Sequence, residues 1–246
     1  MDTDFLLRGD APFGSDLWER IDQQVVRVAR DQLVGRRFLP IYGPLGAGIQ
    51  GIPLDKLNFD EETCTDLLGD QEPVPAKAQN RTFAAVPMLY KDFLLSWRDV
   101  ETEKQTGVPV DLSVAAAAAS ALSKKEDDMI FNGCPEFGCP GLLNAEGRQK
   151  VSRSNWAEGD NPFLDVAAGV EKLASEGIFE PYALIAGTDL YLKMQRLQEG
   201  TGVLLIDRIR ELVGGKVYQS PVIGKGKAVL VACSPYYMDL AIGQDI

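Results

Sequence analysis

Apolar residues recur three and four positions apart at Leu17, Ile21, Val25 and Val28, and Trp18, Ala29 and Leu33 widen the stripe. That spacing predicts an amphipathic helix over Ser15–Leu33, with Ser15 or Asp16 as its cap and Gly35 just past its end. A second helix is predicted from the Asp111-Leu112-Ser113 start, through the run Ala115–Ala119, to about Phe131, where Asn132-Gly133 stops it. Five consecutive alanines leave little side-chain bulk, so another element can pack close to this helix. Beyond Gly159 the pattern alternates: helix Pro162–Glu176, strand Tyr182–Ala186, helix Asp189–Gln198, loop Glu199–Gly202, helix Ile206–Val213 and a further strand. Such alternation predicts an α/β unit within a larger chain. The apolar runs Val229–Cys233 and Met238–Ile242 read as a hairpin-like pair, and Gly224-Lys225-Gly226-Lys227 as a hairpin turn before the first of them.

Between these regions the pattern fails. From Ile49 to Arg81 the chain is mixed, acidic and broken by Pro53, Pro73 and Pro75. So long an excursion without helical period predicts an arm that interacts with something else. The preceding run, Gly43-Pro44-Leu45-Gly46-Ala47-Gly48, lacks the Gly-Lys-Ser/Thr of a phosphate loop and reads as a flexible loop base.

Composition narrows the chemistry. The 246 residues contain no histidine, which excludes a Ser-His-Asp triad, an imidazole general base and a histidine-ligated zinc. The four cysteines, Cys64, Cys134, Cys139 and Cys233, form no CxxC pair. Cys134 and Cys139 flank a turn at Pro135–Gly138, and two thiols without further ligands do not make a metal site. A cysteine nucleophile would need a cationic neighbour or helix terminus to lower its pKa, and none adjoins Cys134 in sequence. With a hydrophobic content of 45% the chain can bury a core, and a net charge of −11 argues against nucleic acid as a partner. Arg27, Arg30, Arg36 and Arg37 cluster nonetheless, and read as a solvated helix face and interface. Glu126, Asp127 and Asp128 sit near a helix C-terminus, where the dipole disfavours them. They read as a solvated or partner-facing patch rather than a catalytic carboxylate cluster. Met1–Asp10 carries no apolar leader core and no run reaches membrane-span length, so a reducing cytoplasm is the expected compartment.

Many short segments, in order along the whole chain, carry a resemblance. They are Trp18-Glu19, Leu33-Val34-Gly35-Arg36-Arg37, Ile41–Gly48, Tyr90–Leu95 with Trp97-Arg98-Asp99, Glu126–Phe131 with Gly133, and Gly141-Leu142-Leu143. Pro181–Leu184, Thr201–Leu204, Val217–Ser220 and Met238–Ala241 continue the series. In these the chain resembles the encapsulins, nanocompartment shell proteins that share the fold of tailed-phage major capsid proteins. The resemblance implies an α+β capsid-like fold in four parts: an N-terminal helix and arm (1–43), an extended loop that clasps a neighbouring subunit (44–82), a peripheral domain (83–133 and 224–246) and an axial domain (134–223). It implies an icosahedral shell of many copies without enzyme activity. A cargo protein would be held by a C-terminal targeting peptide beside the N-terminal helix, near Leu17, Ile21, Val25, Val28, Phe38, Leu39 and Ile41. The match at Ile41–Gly48 and Tyr90–Asp99 is to members with ferritin-like cargo that store iron; peroxidase cargo and a viral or prophage capsid are the alternatives. Gln198, Glu199, Gly200, Thr201 and Gly202 would line a pore, where a ring of Glu199 carboxylates would attract cations. Trp97 occupies a position where some members hold a flavin against an indole; packing beneath the extended loop is its other reading. Family members also continue beyond Gly243–Asp245, so the sequence is expected to be part of a longer chain or to receive the missing strands from another chain.

Overall fold

The computed structural model describes residues 7–58, 65, 67–68, 77–198 and 200–246. After a short 3₁₀ turn at Arg8–Asp10 comes the first helix, α1 (Ser15–Gln32). Its cap position is taken by Gly14 without a capping side chain, not by Ser15 or Asp16; the Ser15 hydroxyl instead donates to the Asp16 carboxylate at 3.3 Å. A short strand, β1 (Ile41–Tyr42), then leads into the arm. Within the arm β2 (Gly51–Asn58) pairs antiparallel with β3 (Lys77–Ala85), Gly51 opposite Ala85, with a slip in register at Lys56/Leu57. The excursion expected from sequence is therefore in part a two-stranded ribbon.

Helix α2 (Trp97–Thr106) starts where the Ser96 hydroxyl accepts the Arg98 N–H at 3.2 Å. Helix α3 (Ser113–Asn132) follows, and α1 lies along it. Ala115, Ala118 and Ala119 are buried on α3 and Ala29 on α1, so the small side chains stand where close packing requires them. The chain leaves α3 through Gly133, whose φ is +78° and whose missing Cβ would lie 2.5 Å from the Cys139 carbonyl oxygen. Only glycine lets the two backbones pass here.

The remaining elements are α4 (Asn161–Ser175), β4 (Tyr182–Ala186), α5 (Thr188–Met194), α6 (Leu205–Leu212), β5 (Lys216–Gln219), β6 (Ala228–Ala232) and β7 (Leu240–Ala241). Strand β4 is central, parallel to β5 on one side and antiparallel to β6 on the other. All five of its residues are buried, which is why it reads as a continuous apolar run. Tyr182, Leu184 and Ala186 join the core under α4–α6, with Leu190, Ile206 and Ile209. Ala183 and Ile185 face the opposite core, with Phe38, Leu39, Phe131 and Ile223. A third cluster gathers Leu17, Ile21 and Val110.

The expected hairpin of the last two strands does not form. β6 pairs with β4, whereas β7 runs parallel to β1, Leu240 opposite Ile41 and Ala241 opposite Tyr42. Gly224–Lys227 is a turn on a crossover, because β5 and β6 lie on opposite edges of β4. The reason is burial: β6 supplies Val231 and Ala232 to the two cores on either face of the sheet, which a hairpin with β7 would leave uncovered. Residues on both sides of Ile223 thus share one sheet.

Candidate functional site: an arm, a helix groove and a loop

The arm and the segment that follows it carry apolar side chains that no described residue of the chain covers. Phe83 is 74% exposed, Met88 81% and Leu94 85%, and Leu54, Leu57 and Tyr90 are exposed as well. Side chains of a ribbon alternate between two faces, and β3 is exposed along seven consecutive residues, so neither face is covered there. Exposed apolar area on this scale marks an interaction surface. The base of the arm is firmly held. Leu45 N–H donates to the Ile242 carbonyl at 2.9 Å, Gly46 N–H to Gly243 at 2.8 Å and Val86 N–H to Gln50 at 2.9 Å. Trp97 opens α2 with 74% of its surface exposed, so the described residues of its own chain do not cover it. Its indole face is free to stack, though no second aromatic ring lies against it among the described residues.

The seven residues predicted to hold cargo divide. Leu17 and Ile21 are buried with Val110, and Phe38 and Leu39 are buried in a different core with Phe131. These four are structural and present no surface to a peptide, a correction that follows from burial rather than from hydrophobic pattern. Val25 and Val28 remain half-buried and Ile41 exposed. The groove on α1 is instead lined by residues outside that set of seven. Arg8, Phe13, Ser15, Trp18, Glu19 and Asp22 line an open cleft of about 680 Å³. Phe13 and Trp18 rings meet at 5.0 Å, and the Arg8 guanidinium lies 4.7 Å from the Trp18 ring centroid. Arg8 is held there by a two-pronged pair with Asp22, at 2.6 and 2.9 Å. The only signal for this groove in the sequence was Trp18, which widened the helical stripe.

An inward-facing charged node joins the N-terminal region to α3. Asp127 is buried, and its carboxylate accepts the N–H groups of Val34 (3.0 Å) and Gly35 (2.9 Å). Burial raises its pKa; the two N–H bonds oppose the rise without cancelling it, and Glu126 adds to it. Arg36 makes a fork onto Glu126 at 2.6 and 2.8 Å and also reaches Asp245. Burial pulls the Arg36 pKa down, but those carboxylates outweigh it and the net shift is upward. Glu126 and Asp127 are therefore not the solvated patch expected from sequence, and Arg36 is no solvated helix arginine. Arg37 turns back onto the carbonyls of Arg30 and Asp31 at 3.1 and 2.7 Å.

The predicted pore loop is a tight turn. Leu197 and Leu204 form an isolated bridge, and Gln198 N–H donates to the Val203 carbonyl at 2.8 Å. Gly200 and Gly202 both have positive φ, +79° and +70°, and Thr201 is exposed. Glu199 lies outside the described residues. The loop's flanks are tethered: Gln198 Nε2 donates to Asp160 at 2.7 Å, and Arg196 donates to the carbonyls of Trp156, Ala157 and Gly159 at 3.0, 2.6 and 3.2 Å.

Among the described residues no cluster of acidic or thiol side chains has the geometry to hold a metal ion, and no helix is long and apolar enough to cross a membrane. A two-faced arm, a tethered loop and a helix groove are features of a subunit that meets others. Residues 3–246 match the family described as encapsulating protein for peroxidase (Linocin_M18). The chain belongs to the encapsulin family. Over 243 residues it is 39% identical to the type 1 encapsulin shell protein EncA of Myxococcus xanthus, covering 99% of this chain and 85% of that one. Over 230 residues it is 44% identical to the diheme-cytochrome-encapsulin shell fusion protein of Kuenenia stuttgartiensis, covering 93% of this chain and 62% of the fusion. The crystal structure of a virus-like particle from Pyrococcus furiosus superposes with a TM-score of 0.74 over 93% of this chain and 84% of that one, at 19% identity. The α+β, capsid-like fold expected from the sequence is thus the fold of an encapsulin.

Proposed function

We propose that this encapsulin is the wall subunit of a closed, icosahedral, many-copy shell that encloses a protein cargo in the cytoplasm. The observation that carries it is the arm: exposed on both faces, with Leu54, Leu57 and Phe83 in solvent, firmly hinged, and left uncovered by the described residues of its own chain. A neighbouring copy supplies the missing cover, and closed symmetry satisfies every arm at once. The family description and the diheme-cytochrome fusion among its relatives support a proteinaceous interior. The wall itself needs no catalytic group, and the absence of histidine agrees with that. Light scattering on the purified full chain tests the assembly directly: a particle of many subunits is expected, and a monomer or dimer as the sole species would overturn it.

The cargo is proposed to arrive on a C-terminal peptide that docks beside α1, in the cleft lined by Phe13 and Trp18 rather than at Phe38 and Leu39. A ferritin-like, iron-storing cargo is the leading reading and a peroxidase the second. Cleft substitution Trp18→Ala should weaken peptide capture at unchanged particle mass; unaltered capture would place docking elsewhere. Entry of ferrous iron is assigned to the 198–202 loop and its Glu199 ring, so Glu199→Lys should slow iron loading. A flavin on Trp97 would show as yellow absorbance lost in Trp97→Ala, and its absence from both proteins would retire that reading.

A further inference from the structure

Immediately after α3 the chain makes a six-residue loop closed on itself. Cys134 N–H donates to the Cys139 carbonyl at 2.8 Å, and Cys139 N–H returns the bond to Cys134 at 3.1 Å. The two cysteines are thus a directly opposed, hydrogen-bonded antiparallel pair. Directly opposed residues project side chains to the same face, with Cα atoms about 5.5 Å apart, inside the range that a disulfide spans. Their surroundings differ. Cys134 is buried and Cys139 partly exposed, and both thiols are free. The Cys139 sulfur lies 3.6 Å from the Phe137 carbonyl oxygen within its own turn and 3.8 Å from that of Ala85, the last residue of β3. Cys233, by contrast, is buried at the end of β6 with its pKa pushed up by burial, which keeps it an inert thiol.

We propose that Cys134 and Cys139 are a reversible thiol–disulfide pair, oxidised by peroxide, that controls how firmly the arm is held at its base. The geometry couples the two events. Side chains opposed across a hydrogen-bonded pair have Cβ atoms up to about 5.5 Å apart, whereas a disulfide needs about 4 Å. Forming the bond also removes the Cys139 S–H, and with it the weak donor that reaches the Ala85 carbonyl. The turn between them permits the movement: Pro135–Phe137 is a single 3₁₀ turn, and Gly138 beyond it has a positive φ of +65°.

The chemistry balances with hydrogen peroxide as the oxidant. The more accessible Cys139 thiolate attacks one peroxide oxygen, the O–O bond breaks, and hydroxide leaves, giving a sulfenic acid on Cys139. The Cys134 thiolate then attacks that sulfur, the S–S bond forms and the sulfenic oxygen departs as a second hydroxide. The two thiol protons convert the two hydroxides to water. Two sulfurs are oxidised to a disulfide and one peroxide is reduced to two waters.

The test uses the full-length assembled protein carrying Cys64→Ser, treated with limiting hydrogen peroxide. In the digest, the peptide bearing both Cys134 and Cys139 should lose two hydrogens, become refractory to alkylation at both sulfurs together, and recover with dithiothreitol. Hydrogen exchange at the Val86 amide, which pairs with Gln50 at the arm base, should speed up severalfold in the oxidised protein and return on reduction. Cys139→Ser should abolish the mass change and make Val86 exchange insensitive to peroxide. Oxidation that ends as sulfinic or sulfonic acid on Cys139 with Cys134 still alkylatable overturns the proposal, as does pairing of either residue with another subunit. Disulfide formation with unchanged Val86 exchange overturns the coupling to the arm. None of these readouts depends on cargo, so the result stands apart from the peptide-docking reading.

Discussion

The sheet β5-β4-β6 and the ribbon β2-β3 use the same secondary structure to opposite ends. Every residue of β4 is buried, and the two faces of its sheet each meet a core. Among the described residues the ribbon buries no side chain fully, and Phe83 and Leu54 stand in solvent on it. Hydrogen bonding along the strands does not separate them, since both ladders are regular apart from one slip in the ribbon. What separates them is where the apolar area goes. The sheet buries it within one chain and so belongs to the folding of a subunit. The ribbon withholds it, so its stability is deferred to assembly.

Substitutions should sort along that line. The largest effect belongs to the sheet region. Ile209→Ala empties a fully buried site under α6 and should destabilise the fold by about 2–5 kcal/mol, seen as a lower denaturant midpoint. Leu94→Asp, beside the arm, should leave far-ultraviolet circular dichroism unchanged while sedimentation shifts from a large particle to small species. Equal loss of secondary structure in both variants would break the distinction.

The next effect is at the charged node. Asp127→Ala strands the N–H groups of Val34 and Gly35, and each unsatisfied donor costs about 1–3 kcal/mol. Asp127 also predicts a pH signature. Its pKa is higher in the folded chain than in the unfolded one, so the folded state holds this proton more tightly. That contribution is fully present below the ordinary carboxyl value of about 4 and is lost as pH rises through the raised folded value. Relative to Asp127→Asn, wild-type stability should therefore decline as pH rises across that window, measured by denaturant midpoints from pH 4 to 7.

The smallest effects sharpen the comparison with matched chemistry. Arg36 and Arg81 each make a two-pronged bond to one carboxylate, Glu126 and Asp55 respectively. Arg36 is largely buried, and Arg36→Lys, which keeps the charge and loses the fork, should cost about 1.5 kcal/mol. On the exposed ribbon, Arg81→Lys should leave the unfolding midpoint where it is.

Much of the fold is legible in the sequence, and the parts that are not share a cause. The period of Leu17, Ile21, Val25 and Val28 gave α1 to within a residue, and the run Tyr182–Ala186 gave β4 with its true ends. Both are local patterns that burial enforces directly. Partners were not readable. Val229–Cys233 and Met238–Ile242 look equally suited to pair with one another, and only the need to cover both faces of β4 sends β6 elsewhere. Phe38 and Leu39 are expected to face cargo because nothing near them in sequence announces Phe131. The cleft at Trp18 is hidden for the converse reason, since one of its walls, Arg8 and Gly9, comes from the turn at Arg8–Asp10, which has no periodicity to detect. Asp127 looked solvated because its partners, Val34 and Gly35, are backbone groups that a side-chain pattern does not show.

The parallel pairing of β1 with β7 sets a timetable. Ile41 and Leu240 are neighbours in space but nearly the whole chain apart in sequence, so their contact is slow to form by loop closure. On a ribosome it must wait further still. Leu45 and Gly46, which seat the arm, find their acceptors at Ile242 and Gly243, so the arm has no fixed root until those residues have been made. By then the sheet residues up to Ala232 have already been made. The last residues therefore do two things at once: Met238 and Leu240 complete the core around Phe38 and Phe131, and Ile242 and Gly243 supply the acceptors that seat the arm.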